Sequence, residues 1–213
     1  SNPSSTDTSD LPFTVSAPTL SLVTPNGGEA WTQGSPQKLT WNYTGNPGST
    51  ITIEVIKGST LLKTFTGIPL VPGSMSIPVP YSTPLGSDYR IRITSTSNPA
   101  WTDTSDDQFT ISSAITVASP NGGENYAIGS TLPMSWTYSG DPGSTVTIEV
   151  FKGTSLLKTL TNISLGEGGY GSQSVPIPLS TPPGNDYWIR ITSTKYPACT
   201  DRSNGYFTIS APG

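Results

Sequence analysis

Short runs in which apolar and polar residues alternate recur along the whole chain. In residues 50–57, the aliphatic side chains of Ile51, Ile53 and Val55 are separated by polar ones, and residues 87–95 alternate in the same way. Because successive side chains of a β-strand point to opposite faces, a period of two predicts strands with one inward face. Turns rich in Gly, Pro, Asn and Asp separate the runs, which indicates an all-β sandwich or barrel.

The sequence also repeats itself with a long period. Residues 25–29 (PNGGE) return as residues 120–124, and the run around Trp41 returns around Trp136, in each case 95 positions later. Residues 88–96 return as residues 186–194, with three additional residues assigned to a loop near 166–171. A unit of this length is typical of an immunoglobulin-like domain, so the pattern predicts two tandem antiparallel β-sandwiches of the immunoglobulin or fibronectin-III kind.

We expect about seven strands in each sandwich. In the first repeat they fall near residues 19–24, 37–43, 50–57, 60–66, 74–79, 87–95 and 107–112. Alternation turns Tyr89, Ile91 and Ile93 inward, and it makes Trp41 and its equivalent Trp136 the central core aromatics.

The repeats set the expected domain boundaries at residues 1–18, 19–113 and 114–213. The first segment contains Phe13 and Val15 and matches the end of the first repeat, so we interpret it as the final strand of a preceding repeat in a longer array. A strand without its own domain exposes unpaired backbone groups, which makes Phe13 and Val15 candidate strand-pairing residues. The linker at residues 112–114 is very short and predicts a semi-rigid rod.

Composition excludes several classes of function. The net charge is −4, with ten Lys and Arg residues scattered along the chain, so no nucleic-acid partner is expected. No apolar stretch approaches the roughly 20 residues of a membrane span. With no histidine and one cysteine, a Ser/His/Asp or Cys/His catalytic set cannot form. We therefore expect no enzyme, no cofactor and no metal.

The motifs together resemble one family. PNGGE, a Trp-containing strand, Asp-Tyr followed by an aliphatic–Arg–Ile run, and a final Phe-Thr-Ile are similar to the Ser/Thr-rich Knh-type surface modules. That family is named from fungal cell-wall proteins linked to beta-glucan assembly, and similar modules occur in secreted bacterial and archaeal proteins. The resemblance implies an extracellular immunoglobulin-like fold and supplies no catalytic residues.

Two loop motifs have a structural and a functional interpretation. Residues 25–29 and 120–124 either bind a ligand through exposed Gly amides or form tight turns, and we favour the turn. Asp103, Asp106 and neighbouring oxygens either gather calcium or form a solvated loop. Arg202 occupies the matching loop of the second repeat and is unfavourable near calcium, so we favour the solvated loop.

Four other positions are candidates for modification or contact. Asn42 and Asn162 begin N-glycosylation sequons, of which neither is repeated in the other domain. Trp188 replaces the outward Arg90, where an aromatic ring either stacks on a sugar or partner or packs against a neighbouring loop or domain. Cys199 is expected to be a partly buried small residue rather than a reactive thiol.

Three functions follow from these features. The first is a structural repeat of an extracellular filament, sheath, surface layer or stalk, which binds other copies of itself through the N-terminal strand. The second is a cell-wall adhesion module that binds polysaccharide. The third is an accessory region of a secreted hydrolase. All three place the chain outside the cell.

Overall fold

The protein is described by a computed structural model that covers residues 8–12, 14 and 16–211. Within them, the regular structure consists of β-strands in two successive groups of nine. The first group is β1 (Thr19–Thr24), β2 (Ala30–Thr32), β3 (Pro36–Thr44), β4 (Thr50–Lys57), β5 (Thr60–Pro69), β6 (Ser74–Pro78), β7 (Gly86–Ser95), β8 (Thr102–Thr104) and β9 (Phe109–Ser112). The second group is β10 (Ile115–Ser119), β11 (Asn125–Ala127), β12 (Thr131–Tyr138), β13 (Thr145–Lys152), β14 (Ser155–Ser164), β15 (Tyr170–Pro176), β16 (Gly184–Ser193), β17 (Thr200–Arg202) and β18 (Phe207–Ser210).

Each group forms two sheets around its own hydrophobic core. In repeat 1 the smaller sheet has the order β1-β3-β6, and the larger has the order β2-β9-β7-β4-β5 with β8 paired to β7. Repeat 2 has the same arrangement, with β10-β12-β15 facing β11-β18-β16-β13-β14 and β17 paired to β16. All pairs are antiparallel except β2 with β9 and β11 with β18. The prediction of two tandem immunoglobulin-like sandwiches is confirmed.

The cores contain the side chains that alternation turned inward. Ile51, Ile53 and Tyr89 are fully buried, as are their equivalents in repeat 2. The indole Nε1 of Trp41 donates to the carbonyl oxygen of Leu70 at 2.9 Å, which satisfies the polar atom of this buried ring. Val55 is only half-buried, because it lies where the two sheets of repeat 1 part.

The structure has nine strands in each repeat where the sequence predicts about seven. The additional strands, β2 and β8 in repeat 1 and β11 and β17 in repeat 2, have three residues each. Three residues are too few for alternation to distinguish a strand from a turn. The predicted strand-pairing residues Phe13 and Val15 lie outside the described residues, and the described residues before Thr19 belong to no strand.

Candidate functional site

The PNGGE motifs form turns in which the glutamate binds its own backbone. The carboxylate of Glu29 accepts hydrogen bonds from the main-chain N–H groups of Asn26, at 2.7 Å, and Gly27, at 2.8 Å. Glu124 binds its turn at the same distances. Burial alone would raise the pKa of the Glu29 carboxyl, but these N–H donors lower it below its ordinary value. The carboxylate is occupied in holding the turn, as the structural interpretation predicts.

The acidic loop considered for calcium ties the two sheets together. The Oδ2 atom of Asp103 accepts from the main-chain N–H of Leu22 at 2.7 Å, and Asp201 makes the equivalent bond in repeat 2 at 2.8 Å. Ser105 is buried, and its hydroxyl donates to the carbonyl oxygen of Pro25. No group of three or more His, Cys, Asp or Glu side chains in the described part of the chain is arranged to hold a metal ion. Asp103 is therefore a cross-link between the two sheets, whereas Asp106 and Asp107 are exposed, as the interpretation of a solvated loop predicts.

The two sequons occupy exposed positions with different backbones. Asn42 is exposed on β3 beside the buried Trp41. Asn162 is also exposed, but it lies in a bulge of β14 and has a φ of 56°, a conformation that asparagine tolerates better than most residues. Both amide groups are therefore on the surface.

Trp188 belongs to a cluster of aromatic and cationic side chains on the outer face of the larger sheet of repeat 2. Its ring stacks on Phe151, with centroids 4.1 Å apart and planes 5° apart, and its Nε1 donates to the carbonyl oxygen of Gly153. The guanidinium of Arg202 lies 5.5 Å from the ring centroid. Trp188 is half-buried as a result, so only part of the ring is open to a ligand.

Sequence reasoning identified Trp188 alone and missed its partners. Phe151 and Arg202 replace Ile56 and Thr104 of repeat 1, just as Trp188 replaces Arg90. These three substitutions between the repeats lie on one outward face, and together they could have indicated the cluster from the sequence. Strand register brings Phe151 opposite Trp188 and Arg202 opposite Arg190.

An apolar groove opens along one side of each repeat, between the edges of its two sheets. In repeat 1 the groove has a volume of about 540 Å³, and in repeat 2 about 200 Å³. Among the described residues, the edge strands β5 and β6 each pair on one side only, as do β14 and β15. The two grooves share lining residues at equivalent positions, namely Val55 and Val150, Leu62 and Leu157, Pro78 and Pro176, and Pro84 and Pro182.

Apolar side chains stand exposed beside both grooves. Leu61 on β5 and Leu156 on β14 are each 51% exposed, and Leu62 and Leu157 follow them. Exposed leucines on a free strand edge favour pairing with another strand. Each repeat therefore has, in the described part of the chain, an edge strand with exposed leucines beside its groove.

The two repeats meet in a packed joint, formed by Gln33 and Tyr81 of repeat 1 and Asp141, Tyr196 and Ala198 of repeat 2. The rings of Tyr81 and Tyr196 stack with centroids 4.9 Å apart. The main-chain N–H of Asp141 donates to the hydroxyl oxygen of Tyr81 at 2.6 Å. Gln33 is buried, and its Nε2 lies within hydrogen-bond distance of the carbonyl oxygens of Thr83 and, at 3.4 Å, Ala198.

Tyr81 reaches into the second repeat at the joint. Its ring packs against the hydrophobic core of repeat 2, which includes the buried Cys199. Burial raises the pKa of its hydroxyl, which stays protonated at neutral pH. The Sγ of Cys199 lies 3.6 Å from the Ser113 hydroxyl of the linker, so this cysteine is a packing residue of the joint.

A family model matches most of the chain, once in each sandwich. The model, described as the Kre9/KNH-like N-terminal Ig-like domain, covers residues 24–111 and 119–209. The chain belongs to the Kre9/KNH-like family. The resemblance inferred from the motifs is thereby confirmed, and the family is associated with the cell wall. In the described part of this Kre9/KNH-like chain, no helix has the length and hydropathy needed to cross a membrane.

Other comparisons add only loose structural similarity. No curated protein matches the chain. The fibronectin(III)-like modules of CbhA from Clostridium thermocellum share 12% identity at a TM-score of 0.30, with 90% of this chain and 94% of theirs covered. A tetra-tandem repeat from the extending region of a large adhesion protein shares 17% identity at a TM-score of 0.32, over 89% of this chain and 48% of that chain. TM-scores of this size carry no argument about function.

Proposed function

We propose that this Kre9/KNH-like chain is a non-catalytic structural module of an extracellular surface assembly, such as a filament, sheath, surface layer or stalk. The observation that carries the proposal is the packed joint, which makes one unit of two immunoglobulin-like repeats. A unit held by a stacked tyrosine pair and by hydrogen bonds between side chains and main-chain groups transmits force along its axis better than two independently moving domains. The association of the family with the cell wall supports an extracellular location.

The sides of the unit provide the means of assembly. Among the described residues, each repeat has edge strands that pair on one side only beside an apolar groove, and exposed leucines flank both grooves. An added strand gains main-chain hydrogen bonds from the edge, while its alternate side chains enter the groove. The N-terminal segment has the required alternation at Leu11, Phe13 and Val15. We assign it as the strand that pairs with another copy.

Deletion of residues 1–17 tests the strand-pairing role. The full chain and the deletion variant are compared at equal concentration by negative-stain electron microscopy. Shorter or absent polymers in the deletion variant support the proposal, because the pairing strand is gone while both repeats keep their own final strands. Polymers of undiminished length and number in the variant would sink it.

A second candidate function is polysaccharide binding at the Trp188 cluster. The half-open Trp188 ring, with Arg202 beside it and Arg190 over the neighbouring Phe151 ring, offers both stacking and hydrogen-bond donors to a sugar. A glycan array compares the wild-type chain with the W188A variant, with W41F as a control that changes a core ring and its bond to Leu70 in repeat 1 and leaves the Trp188 cluster intact. Retained glycan binding in W188A would rule out this cluster as the sugar site.

A further inference from the structure

The loop that follows Asp201 differs in charge from its equivalent in repeat 1. Residues 103–109 read DTSDDQF, whereas residues 201–207 read DRSNGYF. Repeat 2 therefore gains a cation at Arg202 and has no counterpart to the carboxylates of Asp106 and Asp107. Apart from the aspartate that cross-links the sheets in both repeats, the loop changes from acidic to basic, in a chain whose net charge is −4.

In repeat 1, the cations on this outward face are held by the protein itself. The guanidinium of Arg90 donates to the carbonyl oxygens of Ser105 and Asp106 and lies 3.9 Å from the carboxylate of Asp107. The guanidinium of Arg92 is paired with Glu54 at 2.6 Å. Each guanidinium described on this face of repeat 1 therefore already has an anionic partner.

Arg202 differs because its guanidinium has no such partner. Its side chain is exposed, and no carboxylate of the described residues lies within ion-pair distance of it. The nearby carboxylate of Glu149 is paired with Arg190 at 2.7 Å. The Arg202 guanidinium lies 5.5 Å from the centroid of the Trp188 ring, which orients it. A guanidinium oriented in this way can bind a carboxylate or sulfate through two parallel hydrogen bonds.

Tyr206 supplies an exposed ring in the same loop. Its side chain is 60% exposed, and glutamine stands at its position in repeat 1. Strand register pairs Phe207 with Tyr187, and both of these rings face the core. Their neighbours Tyr206 and Trp188 therefore adjoin on the outer face of the sheet. An exposed aromatic ring is a surface on which a sugar ring can stack.

A shallow polar depression continues this face along the strands. It has a volume of about 460 Å³, and Arg190 lines it at the side of the Trp188 cluster. Strand register places Thr147, Thr192 and Thr200 in one row across its floor. Threonine hydroxyls both donate and accept hydrogen bonds, as sugar hydroxyls do. The depression therefore offers room and polar groups for further sugar rings beside the cluster.

We propose that this face of repeat 2 binds an acidic polysaccharide, in which a sugar carboxylate or sulfate pairs with Arg202 and a sugar ring stacks on Tyr206. Adjacent sugar rings occupy the depression over the threonine row. The unpaired cation selects for anionic sugars, because charge complementarity contributes specificity at an exposed site. The inference rests on the second candidate function, polysaccharide binding at the Trp188 cluster, and adds the class of sugar.

Calorimetric titration of the full chain tests the class of sugar. The ligands are trigalacturonic acid and its methyl ester, which has the same rings without the charge. The R202T variant introduces the residue that repeat 1 has at this position, and Arg202 is exposed, so the variant is expected to fold. K158T is the matched control, because it removes the same charge from Lys158, which lines the groove of repeat 2 instead.

We expect the wild type to bind the acid at least about fivefold more tightly than the ester, a preference that added salt reduces. R202T should bind the acid no better than the ester, while K158T keeps the preference. Y206Q should weaken the binding of both ligands by a similar factor, because stacking does not depend on the charge. Equal binding of acid and ester by the wild type, or an unchanged preference in R202T, would overturn the inference.

Two further ligands separate the possible outcomes. A sulfated galactose oligosaccharide that binds more tightly than the acid, and loses this advantage in R202T, supports the inference with sulfate as the anion. If a neutral glucan oligosaccharide binds as well as the acid and W188A weakens both, polysaccharide binding stands and the acidic class is wrong. If none of the four ligands binds, polysaccharide binding at this cluster fails and the inference fails with it.

Discussion

The joint between the repeats leads to a quantitative prediction for Tyr81. Replacing Tyr81 by alanine removes a ring stacked on Tyr196 at 4.9 Å and the acceptor of a 2.6 Å hydrogen bond from the Asp141 N–H. An aromatic pair contributes about 0.5–1.5 kcal/mol, and a hydrogen bond about as much. With the loss of apolar burial, we expect Y81A to destabilise the joint by about 2–4 kcal/mol.

Calorimetric unfolding measures this effect, with L179A as the matched control. Leu179 occupies the same position in repeat 2 but is exposed, so at low protein concentration its removal should change stability by less than about 0.5 kcal/mol. A double-mutant cycle with Y196A isolates the ring stack, for which we expect a coupling of about 0.5–1.5 kcal/mol. If Y81A costs no more than L179A, or if the cycle gives no coupling, the two repeats are not held as a unit by this pair.

Three further predictions concern the turns, the acidic loop and the aromatic cluster. In E29Q, the stability difference from wild type should be full at pH 7 and shrink as the pH falls below 4.5, toward the lowered folded-state pKa of Glu29. The main-chain donors lower the folded-state pKa of Glu29 from 4.5, so the contribution of this carboxylate to stability is present above the unfolded-state pKa. That contribution is lost as the pH falls through the folded-state pKa, and urea midpoints of both proteins at pH 7 and pH 3 measure it. D103N should destabilise repeat 1 by about 1–2 kcal/mol, because it weakens the hydrogen bond from the Leu22 N–H of β1. Adding calcium or a chelator should leave the melting temperature of the wild type unchanged, and a calcium-dependent shift would contradict the cross-linking role of Asp103. The double variant F151I/W188R, which restores the residues of repeat 1, should lower the stability of repeat 2 by about 0.5–1.5 kcal/mol in thermal melts, and an unchanged melt would show that the 4.1 Å stack contributes little.

The sequence was sufficient to predict the sandwich fold because its evidence is local. Alternation assigns the inward face of a strand without any knowledge of its neighbours. Because the sequence repeats, the same alternation is seen a second time for each strand of the other sandwich. Ile53 and Trp41 were placed correctly on these grounds. The three-residue strands such as β2 were missed because they are defined by hydrogen bonds to distant strands rather than by their own pattern.

The interaction surfaces were less predictable because they depend on residues far apart in the chain. Tyr81 and Tyr196 are brought together by the relative placement of two whole domains, which no local pattern encodes. The partners of Trp188 were partly accessible, since Phe151 and Arg202 also depart from the first repeat. Their contact still required the register of the sheet, which alternation alone does not fix.

Sedimentation velocity of the wild-type chain over a concentration series tests the central claim, that this module assembles with its own copies. The account predicts that the weight-average sedimentation coefficient rises continuously with concentration, without a plateau at the dimer, because a strand added from one copy to the sheet edge of the next leaves further edges to which more copies can add. A single concentration-independent boundary at the monomer mass of 22.3 kDa would contradict it.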